Sequence, residues 1–494
     1  MDRLTGFPHL RQDFTASLVV FLVALPLCVG VAVASGVPAE LGLITGIVGG
    51  LVTGLMRGSS LQVSGPAAGL TVLVLEAVRT FGLPALGVIV LTTGLLQLAM
   101  GALRLGRWFR AISVSVVEGM LAGIGLVLIA GQLYAAAGID APASGTAKMA
   151  GIPRLLADAV STPAALTSLA VGAATIALLM VWSRLPKRVR ALPGALAAVA
   201  LATVVSLVFD LPVETVQVQG LLDAVQMPAL SEFGGLASTG LLGTVAAFTL
   251  IASAESLFSA AAVDRLHDGP RTRYDKELMA QGTGNTVCGL LGALPMTAVI
   301  VRSSANVQAG ARTRASRVLH GLWLLLFAAL FPSALGLIPL PALAGILIHA
   351  GWKLIPLRSL VALWREHRGE ALILVVTAVS IVTVNMFEGV LTGLALSVAK
   401  AAWDASHIRL EVVDSSGDQV RARLSGNATF LRLPKILDSL EALPKDRPIA
   451  LDLSGLHHLD HACRTALESW AERHSSSGTE PVRLTRSDVV TAAS

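Results

Sequence analysis

Apolar residues in this chain form long uninterrupted runs, each close to the length of a membrane-spanning helix. A helix needs about 20 consecutive apolar residues to cross a bilayer core. Eight runs approach this length: Ala16–Ala34, Ala85–Leu103, Ser113–Ala136, Leu166–Trp182, Leu192–Phe209, Leu241–Val263, Leu319–Leu335 and Ala371–Met386. No short basic segment with a cleavage site precedes the first run, so we expect it to remain as a span. The pattern predicts an α-helical polytopic membrane protein.

The composition supports this prediction. Of the 494 residues, 54% are hydrophobic and only 14% are charged, whereas soluble domains carry about 25% charged residues. The three cysteines, Cys28, Cys288 and Cys463, have neither metal-ligand nor thioredoxin spacing. We therefore expect small buried side chains at these positions rather than a disulfide framework.

Lysine and arginine are distributed unevenly among the predicted loops. A cytoplasmic N-terminus leaves only Arg79, Lys148 and Arg154 in outer loops. The inner loops then carry Arg57, Arg104, Arg107, Arg110, Arg184, Lys187, Arg188, Arg190, Arg265, Arg271, Arg273, Lys276, Arg312, Arg314, Arg317, Arg365 and Arg368. By the positive-inside rule, this predicts a cell (inner) membrane protein with both termini in the cytoplasm. Because the basic residues are scattered among loops, the net charge of +5 does not indicate a nucleic-acid partner.

Two segments, one in each half of the chain, begin extended and then become helical. Each is too short to cross a bilayer as a continuous helix. The first, Leu61–Pro66, leads into a Gly/Ala-rich stretch, and the second is Thr297–Gly310. A polar connector, Asp210–Gly235, separates the two halves, about 12–210 and 236–401. Paired interrupted segments indicate a transporter site built from inverted repeats.

Such breaks favour an anion site. Extended backbone at membrane depth occurs only where it is buried in protein or lines a cavity, and a helix that begins there points its free N–H groups into that cavity. Pro66 suits the first position of a helix, since it has no N–H to leave unpaired. Small residues that let a ligand approach the backbone surround it: Gly65, Ala67, Ala68 and Gly69. Arg302 adds a positive charge to the second break.

Glu255 lies in the centre of the run Leu241–Val263. A structural interpretation pairs its carboxylate with an arginine such as Arg302. A functional interpretation gives it a raised pKa through burial, so that it carries a proton or balances a cation. Both interpretations remain open from the residues alone.

The last part of the chain, Asp404–Ser494, changes to the composition of a soluble domain. Strands are predicted at "IRLEVVD", "VRARLSG" and "IALDLSGL", and helices at "LPKILDSLEAL" and "CRTALESWAERH". The pattern therefore predicts a small cytoplasmic α/β domain. The histidines of "HHLDHAC", His457–Cys463, crowd one segment, and we interpret them as a solvated loop rather than a metal site.

Four segments together resemble the sulfate permease (SulP) family of anion transporters: "LQVSGPAAGLTV", "SAESLFSAAAVDRL", "VRSSANVQAGARTR" and "IALDLSGLHHLD". The resemblance covers essentially the whole chain. It implies fourteen transmembrane segments in two inverted seven-helix repeats, arranged as core and gate domains (1–403), and a short STAS-like domain (404–494). It also implies a homodimer that works by alternating access of the elevator type.

The resemblance also carries over a site. Substrate-binding residues are then Gly65, Pro66, Ala67, Ala68, Gly69, Val301, Arg302, Ser303 and Ser304, with Glu255 and Ser259 as coupling residues. Some positions differ from the family pattern, since Val301 replaces a hydroxyl residue before the arginine. Ala298 and Ile300 stand where sodium-coupled bicarbonate members carry small or hydroxylated residues. Because Ile300 offers no oxygen to a hard cation, we expect proton rather than sodium coupling.

The leading hypothesis is therefore a proton-coupled symporter of a small inorganic or organic anion, of the sulfate, bicarbonate or dicarboxylate class, embedded in membrane lipid. A sodium-coupled bicarbonate transporter, an uncoupled exchanger or channel, a nucleobase transporter and a membrane signalling scaffold remain alternatives. An enzyme is least favoured, because no nucleophile–base set or metal spacing is present. No cofactor or bound metal is expected.

Overall fold

The computed structural model describes most of the chain. The described residues are 9–107, 113–142, 144–182, 184–186, 192–218, 220–414, 420–444, 448–476 and 483–485. Four of the basic residues assigned to inner loops, Arg110, Lys187, Arg188 and Arg190, lie outside them.

The chain divides into two compact units, Met1–Leu394 and Ala395–Ser494. The composition put the boundary between residues 403 and 404. One helix, Met386–Ala405, contains both the boundary after Leu394 and the predicted boundary after residue 403. The domain limits given above therefore stay a prediction.

The first unit is helical. Its described helices are α1 (Leu10–Ala34), α2 (Ala39–Val48), α3 (Thr71–Phe81), α4 (Leu83–Ala102), α5 (Val114–Ala136), α6 (Gly145–Ala150), α7 (Ile152–Ser161), α8 (Pro163–Trp182), α9 (Gly194–Val208), α10 (Thr239–Val263), α11 (Tyr274–Leu290), α12 (Ile300–Gln308), α13 (Ala315–Leu330), α14 (Pro332–Leu335), α15 (Leu340–Leu354), α16 (Leu357–Glu366), α17 (Arg368–Thr383) and α18 (Met386–Ala405). Within the described residues, six segments are long and apolar enough to cross a membrane: α1, α4, α5, α8, α10 and α15 together with α16.

The apolar runs located most helices but not all of their ends. The predicted run Leu319–Leu335 is divided between α13 and α14 at Phe331, next to Pro332, which has no N–H to continue the hydrogen-bond ladder. Ala371–Met386 also ends early, because α17 stops at Thr383. The apolar helices α2 and α15 were not among the eight runs, because each is shorter than a full membrane span.

Helix pairs approach closely where glycines line the contact. Between α4 and α11, a Cβ on Gly282 would lie 2.7 Å from the backbone nitrogen of Leu98, and one on Gly94 would meet the backbone nitrogen of Thr286. Small residues at such crossings let backbones pack without a driving force from water. Helix α10 contacts α4, α11 and α12, whereas α5 packs on α15 and α17. The segment between α11 and α12 contacts α10 and α11, whereas the turn Ala68–Leu70, just before α3, contacts α10 together with α5 and α15.

The second unit contains a four-stranded sheet. Its described elements are β3 (Ile408–Asp414), β4 (Val420–Ala428), α19 (Leu433–Glu441), β5 (Ile449–Leu459), α20 (His461–Ser476) and β6 (Arg483–Thr485), which follow β1 (Ser64–Pro66) and β2 (Met296–Ala298) of the first unit. The strand order is β3-β4-β5-β6, antiparallel between β3 and β4 and parallel elsewhere. Buried residues alternate along β4, as expected of a half-buried strand. The predicted strands and helices of the tail are confirmed.

The segment His457–Cys463 is not a loop. Its first residues complete β5 and its last ones begin α20. Between them, the Asp460 carboxylate accepts the backbone N–H groups of Cys463 at 2.8 Å and of Phe430 at 2.5 Å. Asp460 therefore acts as the N-cap of α20. In the sequence we interpreted the histidines of this segment and did not identify the cap.

Candidate functional site

Two three-residue strands from the two halves of the first unit form an antiparallel ribbon. Ser64 pairs with Ala298, Gly65 with Thr297 and Pro66 with Met296. The Val299 N–H donates to the Val63 carbonyl at 2.9 Å and extends the ladder. Both predicted breaks are therefore present in the structure, and the backbone groups of the two extended segments form hydrogen bonds with each other. At about 3.3 Å per residue, the ribbon spans roughly 10 Å.

Buried polar side chains satisfy the outer edges of the ribbon. Asn285 on α11 brackets Met296, donating to its carbonyl at 3.1 Å and accepting its N–H at 2.7 Å. The Ser256 hydroxyl on α10 accepts the N–H of Ala298 at 3.2 Å. On the other strand, the Gln281 side chain donates to the Ser64 hydroxyl at 2.8 Å. In an apolar environment each of these contacts prevents an unpaired backbone or hydroxyl group.

A helix begins at each end of the ribbon. After β1, Ala67 is extended, Ala68–Leu70 forms a 3₁₀ turn and α3 follows; after β2, Val299 is extended and α12 follows. Neither start is capped by a described side chain. The first N–H groups of both helices, with the positive ends of their dipoles, thus lie next to the same short ribbon.

Pro66 does not occupy the position that we expected. It is the last residue of β1, two residues before the first helical turn. Pairing with Met296 keeps it extended, and its missing N–H leaves no ladder donor unpaired at the end of the strand. Its carbonyl, by contrast, accepts a hydrogen bond from Arg302.

The Arg302 side chain extends from α12 toward β1, where its guanidinium lies next to Gly65 and Pro66. It is only 1% exposed, and its Nη2 donates to the Pro66 carbonyl at 3.3 Å. A Cβ on Gly65 would overlap Arg302 Nη1, so the glycine makes room for the guanidinium. Neither Nε nor Nη1 has a hydrogen-bond partner among the described residues. The positive charge therefore lies directly behind the ribbon and is only partly satisfied by it.

Glu255 lies beside Gly69, a residue of the helical turn that follows β1. Its Oε1 is 2.7 Å and its Oε2 2.9 Å from the point that a Cβ on Gly69 would occupy. The buried Oε2 has no hydrogen-bond partner among the described residues. Ser259, one turn further along α10, is also buried. Among the described side chains no ion pair joins Glu255 to Arg302, so the pairing considered from the sequence is absent.

The remaining residues of the candidate site differ in orientation. The Ser303 hydroxyl donates to the Val299 carbonyl at 2.8 Å and accepts the Val63 N–H at 2.9 Å, so it fastens the two breaks together. Val301 is exposed and Ser304 half-buried. On the first break Ala67 is buried, whereas Ala68 is half-buried at the start of the helical turn.

Sequence reasoning missed the residues that hold the ribbon. Gln97 lies in the apolar helix α4, Gln281 and Asn285 lie in α11, and all three side chains are fully buried. Asn285 donates to Gln97 at 2.8 Å, and Gln97 in turn donates to Ser253 at 3.1 Å. An amide side chain inside an apolar span is rare enough to attract attention, and this signal would have identified Gln97. Helix α11 is too polar along its length for the same signal to single out Gln281 and Asn285. No cluster of three or more His, Cys, Asp or Glu side chains suited to a metal occurs among the described residues.

Comparison with known proteins identifies the family. The profile described as the sulfate permease family matches residues 10–377, well over half of the chain. This chain belongs to the sulfate permease family. It is therefore an integral multi-pass membrane protein of an anion-transporter family, whose members are transporters and not enzymes, as the sequence predicted.

Similar proteins include transporters of two anions. The bicarbonate transporter BicA of Picosynechococcus sp. is 28% identical over 364 residues, which cover 71% of this chain and 62% of BicA. The sodium-independent sulfate anion transporter of Bos taurus is 25% identical over 496 residues, covering 92% of this chain and 80% of that protein.

A solved structure extends the likeness to the fold. The structure of the murine solute carrier 26 family member A9 anion transporter covers 97% of this chain and 85% of that chain, with a TM-score of 0.79 and 16% identity. The predicted fold class, a helical transmembrane domain followed by a small α/β domain, is confirmed. The tail lies outside the matched residues 10–377, so its assignment as a STAS domain stays a prediction, as does the inverted repeat.

Proposed function

We propose that this protein is a secondary active transporter that binds one small anion between the starts of α3 and α12. One observation carries the proposal: two uncapped helix starts meet at a shared ribbon, with the Arg302 charge directly behind it. Free N–H groups and helix dipoles favour a negative charge at this point. The contacting groups on the protein are the backbone from Ala67 to Gly69 and from Val301 to Ser304.

The substrate belongs to the class of sulfate, bicarbonate or small dicarboxylates. Backbone N–H groups satisfy the oxygens of any of these anions, and the names of the two relatives above include sulfate and bicarbonate. The guanidinium of Arg302 is buried behind the ribbon, where Nη2 is bonded to Pro66, and in this proposal it contributes through its charge. Such a site distinguishes anions by their charge and size and does not by itself specify one particular anion.

Glu255 is the coupling group in this proposal. Its carboxylate adjoins Gly69, where the anion would meet the backbone, and a negative carboxylate would repel that anion. Protonation removes the repulsion, so that proton and anion favour each other's binding. The side chains of Ala298 and Ile300 supply no oxygen ligand for sodium. The name of the bovine relative, a sodium-independent transporter, accords with this choice.

Movement of the substrate follows an elevator-type cycle in the proposal. The ribbon is held by α10 and α11, so these helices carry the site as one body, while α5, α15 and α17 pack together as a second group. Movement of the first group against the second would expose the site to each side of the membrane in turn. We further propose a homodimer in the cell (inner) membrane, with both termini cytoplasmic.

Two alternatives share this fold. A sodium-coupled bicarbonate transporter requires uptake to depend on a sodium gradient. An uncoupled exchanger or channel requires no accumulation against a gradient, and a channel shows no stimulation of uptake by anion on the far side. The other hypotheses, a signalling scaffold and a nucleobase transporter, leave the buried charge of Arg302 at the ribbon unused.

Proteoliposomes test the proposal. Purified protein is reconstituted, and uptake of labelled sulfate, bicarbonate, succinate and uracil is measured with an imposed pH gradient, a sodium gradient, or unlabelled anion inside. We expect saturable uptake of one of the anions, raised by an acidic exterior and by internal anion, and unaffected by sodium. Uptake of uracil alone, or uptake that does not saturate, would contradict a small-anion carrier.

A further inference from the structure

Helix α16 is an unusual element of the first unit. All ten of its residues, Leu357–Glu366, are described and none is buried. Non-helical residues bound it on both sides: Ile355 and Pro356 separate it from α15, and His367 separates it from α17. Although hydropathy joins α15 and α16 into one apolar segment, the backbone divides them.

Its position is fixed by these short connections. Two residues join it to α15 and one joins it to α17, and each residue extends a chain by at most about 3.6 Å. Both neighbours are apolar helices of the membrane domain. Helix α16 therefore lies where those two helices leave the membrane and cannot extend into the solvent away from it.

Three faces of α16 can be distinguished. Leu357, Val361 and Trp364, spaced at i, i+4 and i+7, form an apolar stripe with exposures of 47%, 54% and 54%. Ser359 lies on a second face, toward the protein, where its hydroxyl donates to Glu118 Oε2 at 2.7 Å. At 100° per residue, Arg358 and Arg365 project about 90° from the stripe, on the side away from Ser359.

The segment that contains this helix carries a net positive charge. From residue 353 to residue 368 the basic side chains are Lys353, Arg358, Arg365 and Arg368, and the acidic one is Glu366, which gives a net charge of +3 with His367 neutral. Exposed apolar side chains flanked by arginines are typical of a helix that lies in a membrane interface. Tryptophan at the edge of such a stripe suits the level of the lipid headgroups.

We propose that α16 is an anionic-lipid binding surface: its apolar stripe enters the acyl region while Arg358 and Arg365 contact lipid phosphates of the leaflet on that side. A second copy of the chain is the competing occupant for the stripe. Positive charge on both copies would oppose such a contact across a twofold axis, whereas it attracts anionic headgroups. The inference rests on the membrane embedding of the family and not on the transport cycle.

A site-specific label tests the position of the stripe. All three native cysteines are buried, so Val361→Cys in the full-length protein is open to labelling with an environment-sensitive maleimide. Glu366→Cys, about 140° away around the helix, is the matched control. In vesicles that contain brominated phosphatidylglycerol, we expect strong quenching at position 361 and little at position 366. Equal quenching at both positions, or cross-linking of Val361→Cys between two copies, would overturn the proposal.

The lipid charge is tested in the same vesicles. We expect brominated phosphatidylglycerol to quench the label at 361 more than brominated phosphatidylcholine does, and this preference to fall with salt. Arg358→Gln and Arg365→Gln should each lower the preference about five-fold, the factor for about 1 kcal/mol per basic residue at a membrane surface. Arg57→Gln, an exposed arginine outside α16, is the control and should change nothing. A preference unaffected by the two α16 substitutions would contradict phosphate binding by these arginines.

Discussion

The carboxylate of Glu255 fills the space that a side chain on Gly69 would need. Its two oxygens lie 2.7 and 2.9 Å from the position of the missing Cβ. Gly69 belongs to the first helical turn after β1, so the one carboxylate of α10 lies beside the backbone at which the proposed anion site begins. The coupling group and the binding backbone of the proposed transporter are thus in contact.

Gly69→Ala should separate these two groups. The added methyl meets the end of a flexible side chain, so the carboxylate moves and the cost in folding stays near the 1–3 kcal/mol of mild overpacking. We expect monodisperse protein that unfolds at a somewhat lower temperature than the wild type and shows little gradient-driven uptake in proteoliposomes. Gly243→Ala, on α10 like Glu255 but with nothing within 4 Å of its added Cβ, should transport normally. Wild-type accumulation by Gly69→Ala would show that the contact has no role.

Arg302 should act through its charge rather than its shape. Arg302→Gln removes the positive charge behind the ribbon, and we expect anion affinity to fall on the order of tenfold, the factor for about 1.4 kcal/mol of charge interaction. Arg302→Lys keeps the charge and should retain most of the affinity. The measurement is direct anion binding by calorimetry in detergent. Equal losses for both substitutions would indicate that the guanidinium is structural instead.

A short extended stretch followed by a helix of small residues located each of the two breaks in the membrane domain. A run that starts extended and continues as a Gly/Ala-rich helix occurs at membrane depth only where protein or a cavity surrounds its backbone. Strands β1 and β2 and their following helices lie where this pattern placed them. The strands and helices of the tail could also be predicted from the sequence, because apolar residues alternate along β4 and the α20 pattern is amphipathic.

The relations across the ribbon were not readable from the sequence. Residues 64 and 298 pair, Ser303 bonds Val63, and Arg302 reaches Pro66; each relation joins segments that lie in different halves of the chain. Local patterns determine where a strand or helix starts, but side-chain direction depends on how the two halves pack. The interpretation that pairs Arg302 with Glu255 failed for this reason.

The helix cap of the tail should make its stability sensitive to acid. Burial raises the pKa of Asp460, but the N–H groups of Cys463 and Phe430 outweigh it, so the pKa lies below its ordinary value of 3.8. The cap therefore stabilises the fold above that pH and is lost as the pH falls through the lowered pKa. Asp460→Asn keeps a side-chain oxygen that can accept the same N–H groups but removes the negative charge, so it should cost about 0.3–1 kcal/mol at neutral pH, with the difference shrinking in acid. Hydrogen exchange of residues 461–476 measures it, and exposed Asp438→Asn is the control.

The tail should be dispensable for anion binding. Truncation after Ala405 retains all of α18 and the complete membrane part that contains the ribbon. We expect a monodisperse protein with unchanged anion affinity in detergent, and altered turnover or surface expression. Loss of binding by well-folded truncated protein would make the tail part of the site.

Glu255→Gln should separate exchange from coupling. Glutamine has the size of the protonated acid but cannot release a proton, so the variant is fixed in the neutral form that admits the anion beside Gly69. We expect normal exchange of labelled for unlabelled anion, and no accumulation driven by an acidic exterior. Ser259→Ala, one turn further along α10, serves as the neighbouring control: it should keep the response to pH if the proton resides on Glu255. Accumulation by Glu255→Gln equal to that of the wild type, or wild-type uptake that follows sodium and ignores pH, would remove Glu255 from the coupling step.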